Sequence, residues 1–237
     1  MSYRIITIII MVSFLFATNI VMIIIHTPRE MAFASSDFLI QKTSSFVDEN
    51  KIMHVYGELK NISDKAMINV VARALFYDAN GKFLNESQRS SELRTINPGT
   101  ISPFEILYID TKTVNSVKDF QLFAAGTPIE KTKPTALKIY SDNSRLDILG
   151  FYYINGRIIN TGPLKATDSS AIATLYDKDD KVIAIGRALA EPVNLLPDGQ
   201  AAFGLVATQK LQTYKVKSYS LIADSNEYIS LPIISSK

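Results

Sequence analysis

Asp177, Asp179 and Asp180 cluster in the stretch "LYDKDDK", and they are the first residues whose types could bind or react. A Ca²⁺ site needs six to eight oxygens, usually with a Glu further along the loop. No Glu follows until Glu191, and the related stretch "FYDANGK" offers only Asp78 and Asn80. The carboxylates therefore read as a tight turn rather than a metal site. His54 is the only histidine outside the N-terminal segment. It sits on the polar side of an alternating strand, where a solvent-facing imidazole is expected. A catalytic triad would need a nucleophile and an orienting carboxylate beside it, and no G-x-S-x-G signature is present. Glu92 and Glu191, like Lys82 and Lys181, recur at corresponding positions. A paired-carboxylate hydrolase needs two acids within about 5–10 Å in one cleft. One Glu per repeat reads instead as a solvated charge on a strand edge.

Tyr108, Tyr152, Tyr153, Tyr214, Tyr219 and Tyr228 could stack on sugars, but the chain has no tryptophan. Half-buried strands use tyrosine for its apolar body and polar tip, which is the simpler account. Asn61-Ile62-Ser63 and Asn85-Glu86-Ser87 are N-glycosylation sequons. Asn85 is the better acceptor, because Asn61 matches Asn160, where no sequon exists, and so has a structural turn role. The expectation is no catalytic, cofactor-binding or metal-ligating residue.

Composition narrows the classes further. The chain of 237 residues has no cysteine, which excludes disulfides, thiolate zinc sites and cysteine nucleophiles. Its net charge is +2 with no clustered basic block, so nucleic acid is not an expected partner. Residues 5–25, "IITIIIMVSFLFATNIVMIII", form an uncharged run. At about 1.5 Å per residue such a helix spans a bilayer core of roughly 30 Å. Arg4 precedes it, which favours a cytoplasmic N-terminus and export of residues 35–237. Ala32-Phe33-Ala34 has the form of a signal-peptidase site, so secretion after cleavage following Ala34 is the alternative to an uncleaved anchor over residues 1–34.

These residues must be positioned by an internal repeat. A shift of 99 positions places Gly57 on Gly156, Asn61 on Asn160, Tyr77-Asp78 on Tyr176-Asp177, Pro98 on Pro197 and Phe104 on Phe203. Two domains follow, 36–127 and 135–234, with 128–134 as a short, semi-stiff linker. Within each copy the apolar period is two. Met53, Val55, Gly57 and Leu59 alternate with His54, Tyr56, Glu58 and Lys60, the pattern of a half-buried antiparallel strand. "DANG" and "DKDD" read as hairpin turns. Short strands with turn signals about every ten residues predict an all-β chain: two tandem immunoglobulin-like antiparallel sandwiches after an N-terminal hydrophobic helix.

Gly-x-x-x-Asn, an apolar strand ending in Tyr-Asp, a turn, and Pro-Gly or Pro-x-Gly before a Phe together resemble the FxLYD domain. The likeness covers both copies. It departs at Ala74 and Ala173, where the motif has Phe, and at Phe76, where it has Leu. The resemblance implies an immunoglobulin-like sandwich used as an extracytoplasmic module in prokaryotic envelope proteins, without a catalytic residue set or a cofactor. The expected function is thus a non-enzymatic interaction or spacer module whose partner is another envelope protein or surface component. The alternative is a small-ligand-binding or sensory accessory subunit of a membrane system.

Overall fold

Alternating apolar residues fold this chain into strands almost throughout. A computed structural model describes residues 37–236. The expected N-terminal helix, anchor and cleavage site lie outside the described residues. Among the described residues no helix is long and apolar enough to cross a membrane.

The first copy builds two sheets. β1 (Phe38–Val47), β2 (Met53–Asn61) and β6 (Ile101–Tyr108) form one, in the order β1-β2-β6. The other centres on β3 (Ala66–Tyr77). It is flanked by β4 (Phe83–Ser90) and β5 (Thr95–Ile96) on one edge and by β7 (Asp119–Ile129) on the other. The second copy repeats this plan with β8 (Thr135–Leu146), β9 (Tyr152–Asn160) and β12 (Gln200–Ala207) against β10 (Ser170–Tyr176), β11 (Val182–Leu189) and β13 (Ser218–Asp224). The register is copied as well. Phe38 faces Asn61 as Leu137 faces Asn160, and both first hairpins carry a bulge at the same place.

Two short strands distinguish the second copy. β14 (Ile229–Ser230) pairs with both β13 and β8, joining the two halves into one continuous sheet of eight strands. Its pairing with β8 is parallel, the one departure from the expected antiparallel pattern among the described strands. β15 (Ile233–Ser236) lies along β13. A one-turn helix α1 (Lys210–Thr213) and a 3-10 turn at Val114–Ser116 complete the described elements.

The turns show why the repeat persists through different residues. Gly81 and Asp180 both adopt the left-handed conformation, at φ +74° and 60°, and Gly99 and Asp198 do so at +75° and 60°. Asp tolerates this region because its short side chain bonds locally. Asp78 Oδ1 accepts the backbone N–H groups of Asn80 and Lys82. Asp177 Oδ1 accepts those of Asp179 and Lys181 in the same way. The cores are equally parallel. Ala72, Ala74, Ala171 and Ala173 are completely buried, so their small side chains let the facing sheet close over them.

The two copies are not joined by a free linker. β7 continues to Ile129 and β8 begins at Thr135. Lys133, in the polar connection between them, is buried. Residues of both copies pack as one unit, and Ile172, Ile222 and Ile229 of the second belong to the apolar cluster of the first.

Candidate functional site

The side of β2 that alternation marks as polar is largely closed off from water. Tyr56 is 0% and Glu58 2% exposed, because β11 of the second copy, together with Tyr176 at the end of β10, lies across the outer face of β1, β2 and β6. An apolar patch of Tyr56, Tyr176 and Val182, extended by Phe46 and Ile185, forms the centre of this contact. Around it the polar groups are paired. Tyr176 Oη donates to Glu58 Oε1 at 2.6 Å, and Gln41 Nε2 donates to Glu58 Oε2 at 2.9 Å. Burial, then the Glu58 charge, push the Tyr176 phenol above its ordinary range. Lys42 Nζ lies 4.4 Å from the centre of the Tyr176 ring and 2.9 Å from Asp180. Ser44 donates its hydroxyl to the Val182 carbonyl. A buried carboxylate holding two hydrogen bonds avoids most of the desolvation cost that an unpaired one would carry.

A second zone lies at the connection. Lys133 Nζ donates to Asp224 Oδ1 and to the Ser225 carbonyl, both at 2.6 Å. Asn97 exchanges two hydrogen bonds with the Lys133 backbone, at 2.7 and 2.9 Å. Arg187 Nη1 donates to the Glu92 carbonyl at 2.7 Å, and Arg94 reaches Asp168 and Asn226. Glu92 is therefore not the solvated edge charge expected of it. The second copy supplies the arginine that holds it. Glu191, Lys82 and Lys181 remain exposed.

The expectation of a solvent-facing His54 also fails. Its side chain is 12% exposed and stacks on Phe46 with ring centres 4.7 Å apart. Glu105 Oε1 accepts from Nδ1 at 2.7 Å, and Asp48 Oδ2 lies 3.5 Å from Nε2. Tyr56 Oη donates to the same Glu105 oxygen at 2.7 Å. Desolvation opposes the imidazolium, but Glu105 and then Asp48 outweigh it, and the His54 pKa is raised. Glu105 is desolvated too, yet the bonds from His54 and Tyr56, with Arg89 nearby, bring its pKa below the ordinary value. Desolvation and the Glu105 charge drive the Tyr56 phenol upward, which makes it a poor nucleophile. The imidazole thus lies between two carboxylates and links β2 to β6 and to the turn at Asp48.

The remaining candidates sit as follows. Asn61 is completely buried, and its amide donates to the Lys65 and Ile96 carbonyls. Asn160 does the same with Leu164 and Leu195. Asn85 is exposed on β4 beside a groove of about 270 Å³, lined by Glu86, Arg89, Leu107 and Ile109 among others. Tyr108, Tyr152, Tyr219 and Tyr228 are core residues. Tyr214 is 58% exposed, and Tyr153 packs its ring under Arg145. Among the described residues no group of three or more His, Asp or Glu is placed to hold a metal. Sequence reasoning missed Lys42, Glu58, Lys133, Arg187 and Asp224. One signal was present: Glu58 and Arg157 occupy one repeat position with opposite charge.

Comparison with known proteins adds little to this geometry. No family model and no curated protein matches the chain. Solved structures are similar only distantly. An exo-chitosanase of Amycolatopsis orientalis aligns at 12% identity and a TM-score of 0.29, over 85% of this chain and 26% of that one. Red sea bream transglutaminase aligns at 10% identity and 0.25, over 84% and 31%. A β-glucosidase from Kluyveromyces marxianus aligns at 6% and 0.26, over 82% and 47%. The chain spans less than half the length of each, and likenesses this weak carry no statement about activity.

Proposed function

We propose that this chain is a non-enzymatic extracytoplasmic module of the cell envelope, in which two immunoglobulin-like sandwiches of the FxLYD kind act as one interaction or spacer unit. The observation that carries this reading is the buried contact between the copies. A linker-joined pair would leave the outer face of β2 polar and wet, and its reach would vary. Here Tyr56, Glu58, Tyr176 and Lys133 are buried between the halves, which fixes one relative orientation. A fixed separation is what a spacer needs, and a rigid platform lowers the entropy cost of holding a partner. The apolar segment 5–25 is the proposed membrane attachment, with the sandwiches outside.

The alternative of a small-ligand or sensory subunit has one observation behind it, the groove beside Asn85. At about 270 Å³ it falls below the usual range of ligand pockets, roughly 300–1,000 Å³. The cysteine-free sequence permits a direct test. Spin labels at Glu49→Cys and Lys165→Cys, both exposed, report the distance between the copies. A single narrow distribution supports the spacer. A broad one removes it. Cross-linking with affinity capture from native membranes then tests the envelope placement. An empty capture together with a thermal shift on a metabolite panel favours the ligand reading.

A further inference from the structure

The contact between the two halves uses two different faces of one repeated sandwich. The first copy offers the outer face of β1 and β2, and the second offers the outer face of β10 and β11. Repetition means that each copy owns both faces. The counterpart of the receiving face is the outer side of β8 and β9. The counterpart of the inserting face is the outer side of β3 and β4. Neither is covered among the described residues: Tyr140 is 40% and Phe83 49% exposed.

At one central pair of corresponding positions the residues are complementary in charge. In the internal contact Phe46 and Ile185 share an apolar cluster. Their counterparts are Arg145 and Glu86, a pair of opposite charges. Ser44 and Val182 meet internally, and their counterparts are Asn143 and Phe83. Glu58 and Tyr176 correspond to Arg157 and Tyr77. The open receiving face is already shaped as a basic aromatic platform. Arg145 lies 4.4 Å over the Tyr153 ring and Arg157 5.3 Å over that of Tyr140. Glu86 now pairs with Arg73, and Arg157 with Asp142, in half-exposed pairs. Exposed pairs of this kind are weak and exchange partners at low cost.

We propose that the outer face of β8 and β9 of one molecule receives the outer face of β3 and β4 of the next, repeating between molecules the contact made within each. The partner is a second copy of this chain, which deepens the interaction-module reading and rests on it. Such a head-to-tail contact does not close on itself by two-fold symmetry, so it propagates into rings or filaments. Opposite charge at Arg145 and Glu86 makes it salt-dependent and distinguishes it from the internal contact, where the same positions hold apolar Phe46 and Ile185.

The test uses the full chain in detergent micelles. With Phe83→Cys and Asn143→Cys in one chain, oxidation is expected to give a ladder of dimers, trimers and larger species. Mixed single variants are expected to give only the Phe83–Asn143 heterodimer. Arg145→Glu or Glu86→Arg alone should lower the cross-link yield at least tenfold, and the two together should restore it. Spectra and unfolding midpoints of the surface variants should match the parent. A chain without cross-link at any concentration overturns the proposal. So does a ladder insensitive to both reversals, or one not restored by the exchange. A monomer that still shows the narrow spin-label distance would overturn self-association alone and leave the spacer intact.

Discussion

Tyr77 and Tyr176 end equivalent strands, precede equivalent turns, and live in different surroundings. Tyr176 is 6% exposed and donates to a buried carboxylate of the other copy. Tyr77 is half-buried, bonds Gln121 at 3.3 Å and meets Phe83 edge-on. The two turns hold the same backbone, but Asp180 at the tip of one reaches Lys42 while Gly81 at the tip of the other has no side chain to reach with. The difference teaches that the shared motif is scaffold and that its context decides the energetic role. One copy's hairpin is an internal fastener. The other's is left for a neighbour.

The comparison can be broken most severely at the connection. Lys133→Ala leaves Asp224 buried without its cation, and an uncompensated buried charge costs about 3–5 kcal/mol. Denaturant unfolding should show that loss. Lys112→Ala, at an exposed turn of the first copy, should change stability by under about 0.5 kcal/mol. Next come the paired glycines. A Cβ on Gly57 would lie 2.7 Å from the end of the buried Phe104 ring, a side chain that must shift to admit it, at a cost of about 1–3 kcal/mol. A Cβ on Gly156 would also overlap the Tyr140 carbonyl oxygen, and backbone cannot swing. Gly156→Ala should therefore cost at least about 1 kcal/mol more than Gly57→Ala on the same overpacking scale. Equal losses would refute the difference in packing.

A gentler probe is the hydroxyl itself. Tyr176→Phe removes one of two donors to buried Glu58 and should cost about 1–3 kcal/mol, whereas Tyr77→Phe should cost under about 0.5. Thermal unfolding of both variants decides. The smallest effect is the pH dependence given by His54. Its folded pKa is raised, so its contribution is complete below the unfolded value of about 6.5 and is lost as pH rises through the folded value. Glu105 acts oppositely: its pKa is lowered, and its contribution is lost as pH falls through that lowered value. Midpoints should thus decline above neutrality, and His54→Tyr, which installs the second copy's residue, should flatten that decline. A variant with an unchanged slope would remove His54 as the cause.

Much of the fold was legible because β-structure writes a period of two into the chain. Phe104 and Phe203, Asn61 and Asn160, and the two Tyr-Asp pairs fixed the register of the copies, and the strands follow it. What alternation cannot say is which solvent-side residues a second sandwich will cover. Tyr56 and Glu58 look like any outward residues of a half-wet strand, since an interface is made of the same polar and aromatic types as a surface. His54 was misplaced for a related reason. One of its two carboxylates comes from the neighbouring turn at Asp48, but the other, Glu105, comes from β6, far away in sequence. Lys133 hid in a stretch whose prolines and polar residues spelled a linker. The short β14 and β15 gave no periodic signal, being too brief to show one.

The closeness of the halves also governs the order of events in synthesis. The first sandwich emerges before the strands that will cover its β2 face exist, so Tyr56 and Phe46 stand uncovered while residues 135–234 follow. Only residues 130–134 separate β7 from β8, which keeps the second sandwich at a high effective concentration beside that face. A chain truncated after the first copy would display permanently what is otherwise a passing stage: a sticky intermediate, and a natural substrate for chaperones and proteases.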